Sequence, residues 1–388
     1  MKKDIIILGS TGSIGSTTLS IINKKFKIKL LSTNKNIKKI LKQAINYNVK
    51  NVVIEDKNNY LKFKSVFKKK NIRLHLGVKN IDSIIKKKVS FCVNAISGID
   101  GLEPTLKIIP LTENILIANK ESIICGWNFI NVELKKNKTN FIPIDSEHFS
   151  IWKLLQNSDV QKVNKIILTA SGGPFLNISK RKILNVKPNI ALKHPNWKMG
   201  KKITIDSSNM MNKIFEYIEA KKIFNLKKNK ISILIHPTSF IHAIIYFKGD
   251  LIKFLAHDTQ MKVPISNALG LINDKRFNIS KHHLENLNNI KVMLPDKKKF
   301  PLLSLINLIP EKTSYFETIL ITLNDSLVYK YLDGKINYIS IQKNLLNIIK
   351  KPYFSKYYKL KPKNIYDIKN MIKTTENYLN DNIEYYET

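Results

Sequence analysis

Two carboxylates, Asp145 and Glu147, lie two residues apart at the end of the run FIPIDSEH. On a strand, positions i and i+2 project to one face. Two carboxylates held together repel unless a proton or a cation lies between them, and paired oxygen ligands suit Mg²⁺ or Mn²⁺. Two solvated loop acids would give the same pattern. A third acid follows in DSSNMMNKIFEYIEAKK. There Met211, Ile214, Phe215 and Ile218 make an apolar stripe of helical spacing, and the opposite face carries Asn212, Lys213, Glu216, Glu219 and Ala220. An ordinary solvated face reads the same way. Lys213 adds information, because a cation near a helix N-terminus is disfavoured by the macrodipole. A bound phosphate would relieve that, with Ser207, Ser208 and the free N–H groups as further donors.

A second site is written in glycines. Gly9, Gly12 and Gly15 follow the run DIIIL and open STGSIGSTTLSIINKK. A strand, a glycine turn and a helix together form a pyrophosphate site, because the backbone can approach the ligand at the helix N-terminus. The spacing G-x-x-G-x-x-G is not the commoner G-x-G-x-x-G, and a tight turn without a ligand is the competing reading. The next strand ends LLSTNKNIKK, with no acid to meet a ribose 2′-hydroxyl and with Lys35, Lys38 and Lys39 instead. This favours NADP over NAD.

Three loops carry unusual polar content. TASGGPF (169–175) exposes backbone N–H groups and could form an anion nest or a plain turn. HPNWKMGKK (194–202) places His194, Trp197 and Met199 in a non-helical stretch, either a core anchor or a lid over a ligand. In HPTSFIH (236–242), His236, Ser239 and His242 follow the run ISILI. A spacing of six does not set two histidines on one helix face, so core or hydrogen-bonding roles are expected there rather than a metal pair.

The elements that must position these residues are legible in the hydrophobic pattern. DIIIL, KIKLLST, VKNVVIED, VSFCVNAIS and ENILIANKE read as strands alternating with helical segments such as NIKKILKQAINYN. That alternation predicts an α/β protein with an N-terminal, Rossmann-like, doubly wound parallel sheet. From about residue 140 the runs FIPID, NKIILTAS, KITID and ISILIHP predict strands of a second, α/β or α+β domain. Beyond 311, FETILITLNDSLVYKYL, SIQKNLLNIIKK and NIYDIKNMIKTTENYLND predict a C-terminal α-helical domain. The expected organisation is 1–144 for the dinucleotide, 145–285 for catalysis with a lid at 194–202, a linker at 286–310, and 311–388 helical.

The chain has 388 residues, 43 % of them hydrophobic, so a sizeable core is expected. Its 66 Lys and Arg against 29 Asp and Glu give a net charge of +37, which suggests nucleic acid. Only Arg73, Arg181 and Arg276 are arginine, the side chain best suited to phosphate and base edges. The charge is also spread along the chain rather than clustered, so a nucleic-acid partner is not expected. Cys92 and Cys125 are the only cysteines, which excludes a disulfide framework or a cysteine zinc site. No apolar run reaches the roughly 18 residues of a membrane span, and a strand starting at residue 4 is expected to leave no room for a leader peptide.

Taken in order, GSTGSIG (9–15), AISGIDGLEPT (95–105), IANKES (117–122), PIDSEH (143–148), SGGPF (171–175), HPNWKMGKKI (194–203), DSSNMMNKIFEYIEA (206–220) and HPTSFIH (236–242) resemble the 1-deoxy-D-xylulose 5-phosphate reductoisomerase family. The resemblance implies NADPH-dependent conversion of 1-deoxy-D-xylulose 5-phosphate to 2-C-methyl-D-erythritol 4-phosphate, in the non-mevalonate isoprenoid route. It also implies a divalent metal (Mg²⁺, Mn²⁺ or Co²⁺), a homodimer and a bacterial cytoplasmic setting. Residue by residue, it implies Asp145, Glu147 and Glu216 as metal ligands and, with Lys120, as the catalytic set. Ser146, Ser171, His194, Trp197, Ser207, Asn212 and Lys213 match substrate positions. Thr11, Gly12, Ser13, Ile14, Asn34, Lys35, Asn36, Asn119, Glu121 and Gly200 match cofactor positions, and Met199 lies on the lid. FLAHDTQMKVPI (254–265) departs from the family pattern, which reads more like LGTPDM before its proline, so His257, Asp258 and Gln260 are unusual. Met261 is expected near the nicotinamide.

Two rival readings make different demands. An NADP-dependent semialdehyde or acyl-phosphate dehydrogenase shares the glycine turn but needs a nucleophilic cysteine. Cys92 lies inside an apolar strand, and Cys125 has no convincing base nearby in sequence. A basic nucleic-acid-binding protein would show salt-dependent binding that reports several phosphate contacts.

Overall fold

The β-branched runs of the first third pair into a single sheet. In a computed structural model, which describes residues 2–184, 186–197, 199–271 and 281–382, its strands are β1 (Lys3–Leu8), β2 (Phe26–Thr33), β3 (Asn51–Ile54), β4 (Arg73–Leu76), β5 (Val89–Asn94), β6 (Thr112–Ile117) and β7 (Asn140–Pro143). Their spatial order is β4-β3-β2-β1-β5-β6-β7, and every neighbouring pair is parallel. Ile5, Ile6, Ile7 and Leu8 are all fully buried. That continuous run, without polar alternation, is what a strand covered on both faces requires. The strand order reverses beside β1, so the carboxyl end of β1, where Gly9 stands, is the crevice in which such sheets bind ligands.

The longer helices of this part of the chain are α1 (Ser13–Ile21), α2 (Ile37–Asn46), α3 (Lys57–Lys69), α4 (Lys120–Asn137) and α5 (Ser146–Leu155). Ile5, Leu19, Ile28, Ile40, Ile54 and Phe67 belong to one core, which Ile265 and Leu269 join from a returning segment. The helix Lys262–Ala268 in that segment packs on α1.

Contacts divide the chain into two units. One runs to Trp152 and takes in the segment that begins at Gln260; the other holds Lys153–Thr259 and the C-terminal part of the chain. The second unit has a four-stranded mixed sheet, β8 (Val163–Ala170), β9 (Ile231–Ile235), β10 (Ile241–Phe247) and β11 (Ile252–Ala256), in the order β11-β10-β8-β9. The connection from β8 to β9 includes the helices α6 (Lys201–Ser208) and α7 (Met211–Ile223), and α7 packs on both strands. The C-terminal helices α8 (Phe316–Leu332), α9 (Tyr338–Ile348) and α10 (Ile365–Asp381) lie where the periodicity places them, with α8 packed against α9 and α10. Lys198 of the expected lid, and residues 272–280 and 383–388 of the expected domains, lie outside the described residues.

Three local expectations are corrected. KITID is not a strand but the body of α6. Thr204, Ile205, Asp206 and Ser208 are buried at consecutive and alternate positions, and Lys202 pairs with Asp206 at 3.0 Å, which is helical i,i+4 spacing. DSSNMMNKIFEYIEAKK is not one helix either. Met210 has φ +69°, so the chain turns there and α7 starts afresh at Met211. Finally, β7 ends at Pro143, so Asp145 lies in the turn and Glu147 in the first turn of α5, rather than alternating on one strand.

Candidate active site

The glycine turn is built for close approach. Gly9 has φ +71°, and a Cβ there would lie 2.5 Å from the Ala95 carbonyl oxygen; one on Gly15 would lie 2.5 Å from the Gly9 oxygen. Beneath the turn, Ser10 and Gln43 form a buried bracket: Ser10 Oγ donates to Gln43 Oε1 at 2.8 Å, and Gln43 Nε2 donates to the Ser10 carbonyl at 2.9 Å. Gln43 was not singled out in the sequence. Its signal was a polar side chain on the apolar stripe of α2. The N-terminus of α1 has no side-chain cap at Gly12 and no acid in its first turn. Its N–H groups and the half-buried Thr11 therefore form a surface that fits a pyrophosphate.

The β2–α2 loop supplies the rest of that crevice. Thr33 pairs with Thr11 through their hydroxyls at 2.7 Å, and Asn36 caps α2 by accepting the Lys39 N–H. Asn34 and Lys35 are exposed, as a 2′-phosphate site needs, and the exposed Lys39 reaches back to the glycine turn, its Nζ donating to the Thr11 carbonyl at 2.8 Å. Asn119 opens α4 as its cap, accepting Ser122 N–H at 2.6 Å, while its amide donates to the carbonyls of Ile96 and Gly98. This side chain shapes the loop between β5 and the helix that follows it.

Lys120, the next residue, is buried to 8 % exposure and reaches Asp145 Oδ2 at 2.8 Å. Ser146 Oγ donates to Glu147 Oε2 at 2.5 Å, and Glu121 is half-buried on the first turn of α4. IANKES and PIDSEH, the ends of β6 and β7, are thus adjacent because their strands are paired neighbours.

In the second unit α7 is buried nearly all round. Lys213, Glu216 and Glu219 are all 4 % exposed or less, so the face expected to be polar is not a solvated one. Leaving a buried charge unpaired costs about 3–5 kcal/mol, against roughly 0.3–1 kcal/mol for a cation at a helix start. Pairing decides: Lys213 Nζ contacts Glu216 Oε2, and Asn212 Nδ2 donates to Glu216 Oε1 at 2.6 Å. All the candidate ligands are carboxylate oxygens, hard donors that fit a hard divalent cation.

The polar loops meet in the same unit. Ser171 Oγ lies 3.1 Å from His194 Nε2 and accepts the Gly173 N–H at 3.0 Å. Gly173, at φ +66°, packs so closely on the end of α6 that a Cβ would lie 2.7 Å from the Ser207 carbonyl oxygen. Ser208 does not share that site; its hydroxyl is taken by the Ile205 carbonyl and Tyr338. His194 Nδ1 accepts the backbone N–H of Asn196 at 3.2 Å and of Trp197 at 3.0 Å. With Nδ1 an acceptor, the neutral ring carries its proton on Nε2. Burial lowers its pKa to about 4, so the ring is neutral at pH 7. Asn196, which had no sequence signal, ties the segment down through the Pro237 carbonyl at 2.7 Å and Ser239 at 3.2 Å. At the far end Lys202 bridges Asp206 and Asp325, at 3.0 and 2.8 Å. Met199 is half-buried and Gly200 caps α6, with Thr204 Oγ1 donating to its carbonyl at 2.8 Å.

Comparison with known proteins decides the family. Models for 1-deoxy-D-xylulose 5-phosphate reductoisomerase match residues 5–126, and models for its C-terminal domains match 141–224 and 257–378. The 1-deoxy-D-xylulose 5-phosphate reductoisomerase of Pelagibacter ubique is 48 % identical over 376 residues, covering 96 % of this chain and 97 % of that protein. The chain belongs to the 1-deoxy-D-xylulose 5-phosphate reductoisomerase family. The reductoisomerase of Clostridium novyi is 38 % identical, over 87 % of this chain and 90 % of its own length. A solved DOX-P reductoisomerase in complex with NADPH, fosmidomycin and magnesium is 29 % identical and superposes with a TM-score of 0.89, covering 98 % of each chain. The Zymomonas mobilis reductoisomerase in complex with NADPH is 27 % identical, with a TM-score of 0.84 and 97 % of each chain covered.

Cys92 and Cys125 are both buried, and burial pushes the Cys92 thiol up, opposite to what a nucleophile needs. Met261 packs half-buried against the core of the first sheet. No helix among the described residues is long and apolar enough to cross a membrane.

Proposed function

We propose that this chain converts 1-deoxy-D-xylulose 5-phosphate to 2-C-methyl-D-erythritol 4-phosphate, using NADPH and a divalent cation, in the non-mevalonate route to isoprenoids. Membership in the reductoisomerase family, over 96 % of the chain at 48 % identity, carries this reading. The pyrophosphate of NADPH lies on Thr11, Gly12, Ser13 and Ile14 at the start of α1. Its 2′-phosphate meets Asn34, Lys35 and Asn36, and Asn119, Glu121, Gly200 and Met261 complete the cofactor's surroundings.

Asp145, Glu147 and Glu216 are the metal ligands. When bound, the cation supplies Lewis-acid polarisation of the substrate's carbonyl and hydroxyl oxygens, and NADPH supplies a hydride. Lys120 holds the Asp145 carboxylate in place and balances its charge. Ser146 and Trp197 orient the substrate chain, with Met199 beside Trp197 on the lid.

Ser171, Ser207, Asn212, Lys213 and the His194 Nε2–H hold the substrate phosphate. Lys213 is the one full cation among them, at the third position of α7, where a phosphate would satisfy both the ammonium and the helix N-terminus. Held at its phosphate end, the substrate is oriented for cleavage and re-formation of one carbon–carbon bond, a retro-aldol and aldol sequence. Reduction of the resulting branched aldehyde consumes one hydride and one proton. Binding energy at the remote phosphate then serves the reacting end and closure of 194–202.

The chain acts as a homodimer in a bacterial cytoplasm, with no nucleic-acid partner. The edge strand β11 supports pairing with a second copy: Ile252, Phe254 and Tyr246 share one sheet face by register and are 48, 47 and 37 % exposed. Sedimentation equilibrium should give twice the chain mass, reverting to the monomer in an I252K/F254K variant.

The deciding experiment follows NADPH oxidation with 1-deoxy-D-xylulose 5-phosphate, with and without Mn²⁺. Metal-dependent turnover is expected. Well-folded protein without it would overturn the assignment.

A further inference from the structure

Three rings stand in a row inside the second unit. His242, on β10, lies parallel to His257, just beyond β11, with ring centroids 3.7 Å apart and planes at 18°. Trp197 meets His242 edge to face, at 6.0 Å and 74°. Both imidazoles are fixed by carbonyl oxygens. His242 Nε2 lies 3.0 Å from the His257 carbonyl, and His257 Nδ1 lies 2.8 Å from that of Asp258. A carbonyl only accepts, so these two nitrogens carry protons, and neither ring can flip without losing a hydrogen bond. The two histidines are 2 and 8 % exposed, and neighbours close the space around them. Asp258 Oδ1 lies 3.5 Å from His283 Nε2, and the His283 ring centroid lies 6.4 Å from that of Phe240.

We propose that His257 is a positioning residue for the substrate lid: by stacking on His242 it fixes the ring against which Trp197 rests. This rests on the reading of 194–202 as that lid. His257 lies in the segment that departs from the family pattern. A lid whose tryptophan is already seated loses less conformational freedom when substrate binds. His257 acts in this scheme through His242 and Trp197, so its contribution falls on KM rather than kcat.

Steady-state kinetics and acrylamide quenching of the free full-length enzyme test this in H257G, H257F and W197F. Subtracting the signal of H257G/W197F from that of H257G isolates Trp197. H257F keeps a stacking ring and should match the parent in both readouts. H257G should expose Trp197 to quencher and raise KM for the sugar phosphate roughly fivefold, the scale of one lost ring contact, with kcat unchanged. H257A replaces H257G if glycine prevents folding. Unchanged quenching and KM in H257G would overturn the proposal, and so would a fall in kcat at constant KM. If W197F alone leaves KM unchanged, the lid reading fails, while the quenching result still decides whether His257 seats Trp197.

Discussion

Ser171 Oγ and His194 Nε2 stand 3.1 Å apart, while the other nitrogen of the same ring gathers the backbone N–H groups of Asn196 and Trp197. One imidazole therefore joins the Ser-Gly-Gly loop to the start of the 194–202 segment, with a separate task on each nitrogen.

Two substitutions separate those tasks. Asn at position 194 can place an oxygen near Nδ1 and keep the acceptor. Gln can place an N–H near Nε2 and keep the donor. H194N should leave the Asn196 and Trp197 amides protected from hydrogen exchange while raising KM for the sugar phosphate about tenfold, the worth of one hydrogen bond. H194Q should lose that amide protection and change KM less. Identical behaviour of the two variants would refute the division.

The same ring gives a pH dependence of stability. Its pKa is about 4 in the folded chain against 6.5 for an unperturbed histidine. Between those values the unfolded chain binds more protons than the folded one, so stability falls as pH drops from 6.5 towards 4. Urea unfolding at pH 7 and pH 5 should show this loss, and H194N should lessen it.

Glu216→Gln keeps the volume and the hydrogen bonds to Asn212 but removes the charge facing Lys213. Mn²⁺ affinity should fall on the order of 100-fold, with turnover falling alongside, while circular dichroism stays that of the parent. Calorimetric titration reads the affinity directly, and unchanged Mn²⁺ binding would remove Glu216 from the site.

The buried thiols should be dispensable. C92A/C125A should retain metal-dependent NADPH oxidation, with a stability loss of about 1–2 kcal/mol from the small voids left behind. Complete loss of turnover in a folded double variant would point to the acyl-phosphate dehydrogenase chemistry instead.

The sequence by itself determined the parallel sheet and the glycine turn. Ile5–Leu8 is a short β-branched run that stops at glycine, the pattern of a strand buried on both faces, and the structure bears it out, with Gly9 and Gly15 where a Cβ would collide with backbone. It also determined the C-terminal helices, because 3.6-residue periodicity is a local property that survives without knowledge of partners. Tertiary structure decided what periodicity cannot carry. Whether KITID extends or coils depended on Lys202 finding Asp206 and Asp325, the second of them more than a hundred residues away in sequence. Whether the polar side of α7 met water depended on the packing that buries Lys213, Glu216 and Glu219 and on Lys213 pairing with Glu216 inside. The role of Asn196 was equally invisible, since a hydrogen bond to a distant carbonyl leaves no mark on local spacing. Composition and period specify which residues are apolar and how often they recur; the partners of the polar ones are fixed only when the chain closes.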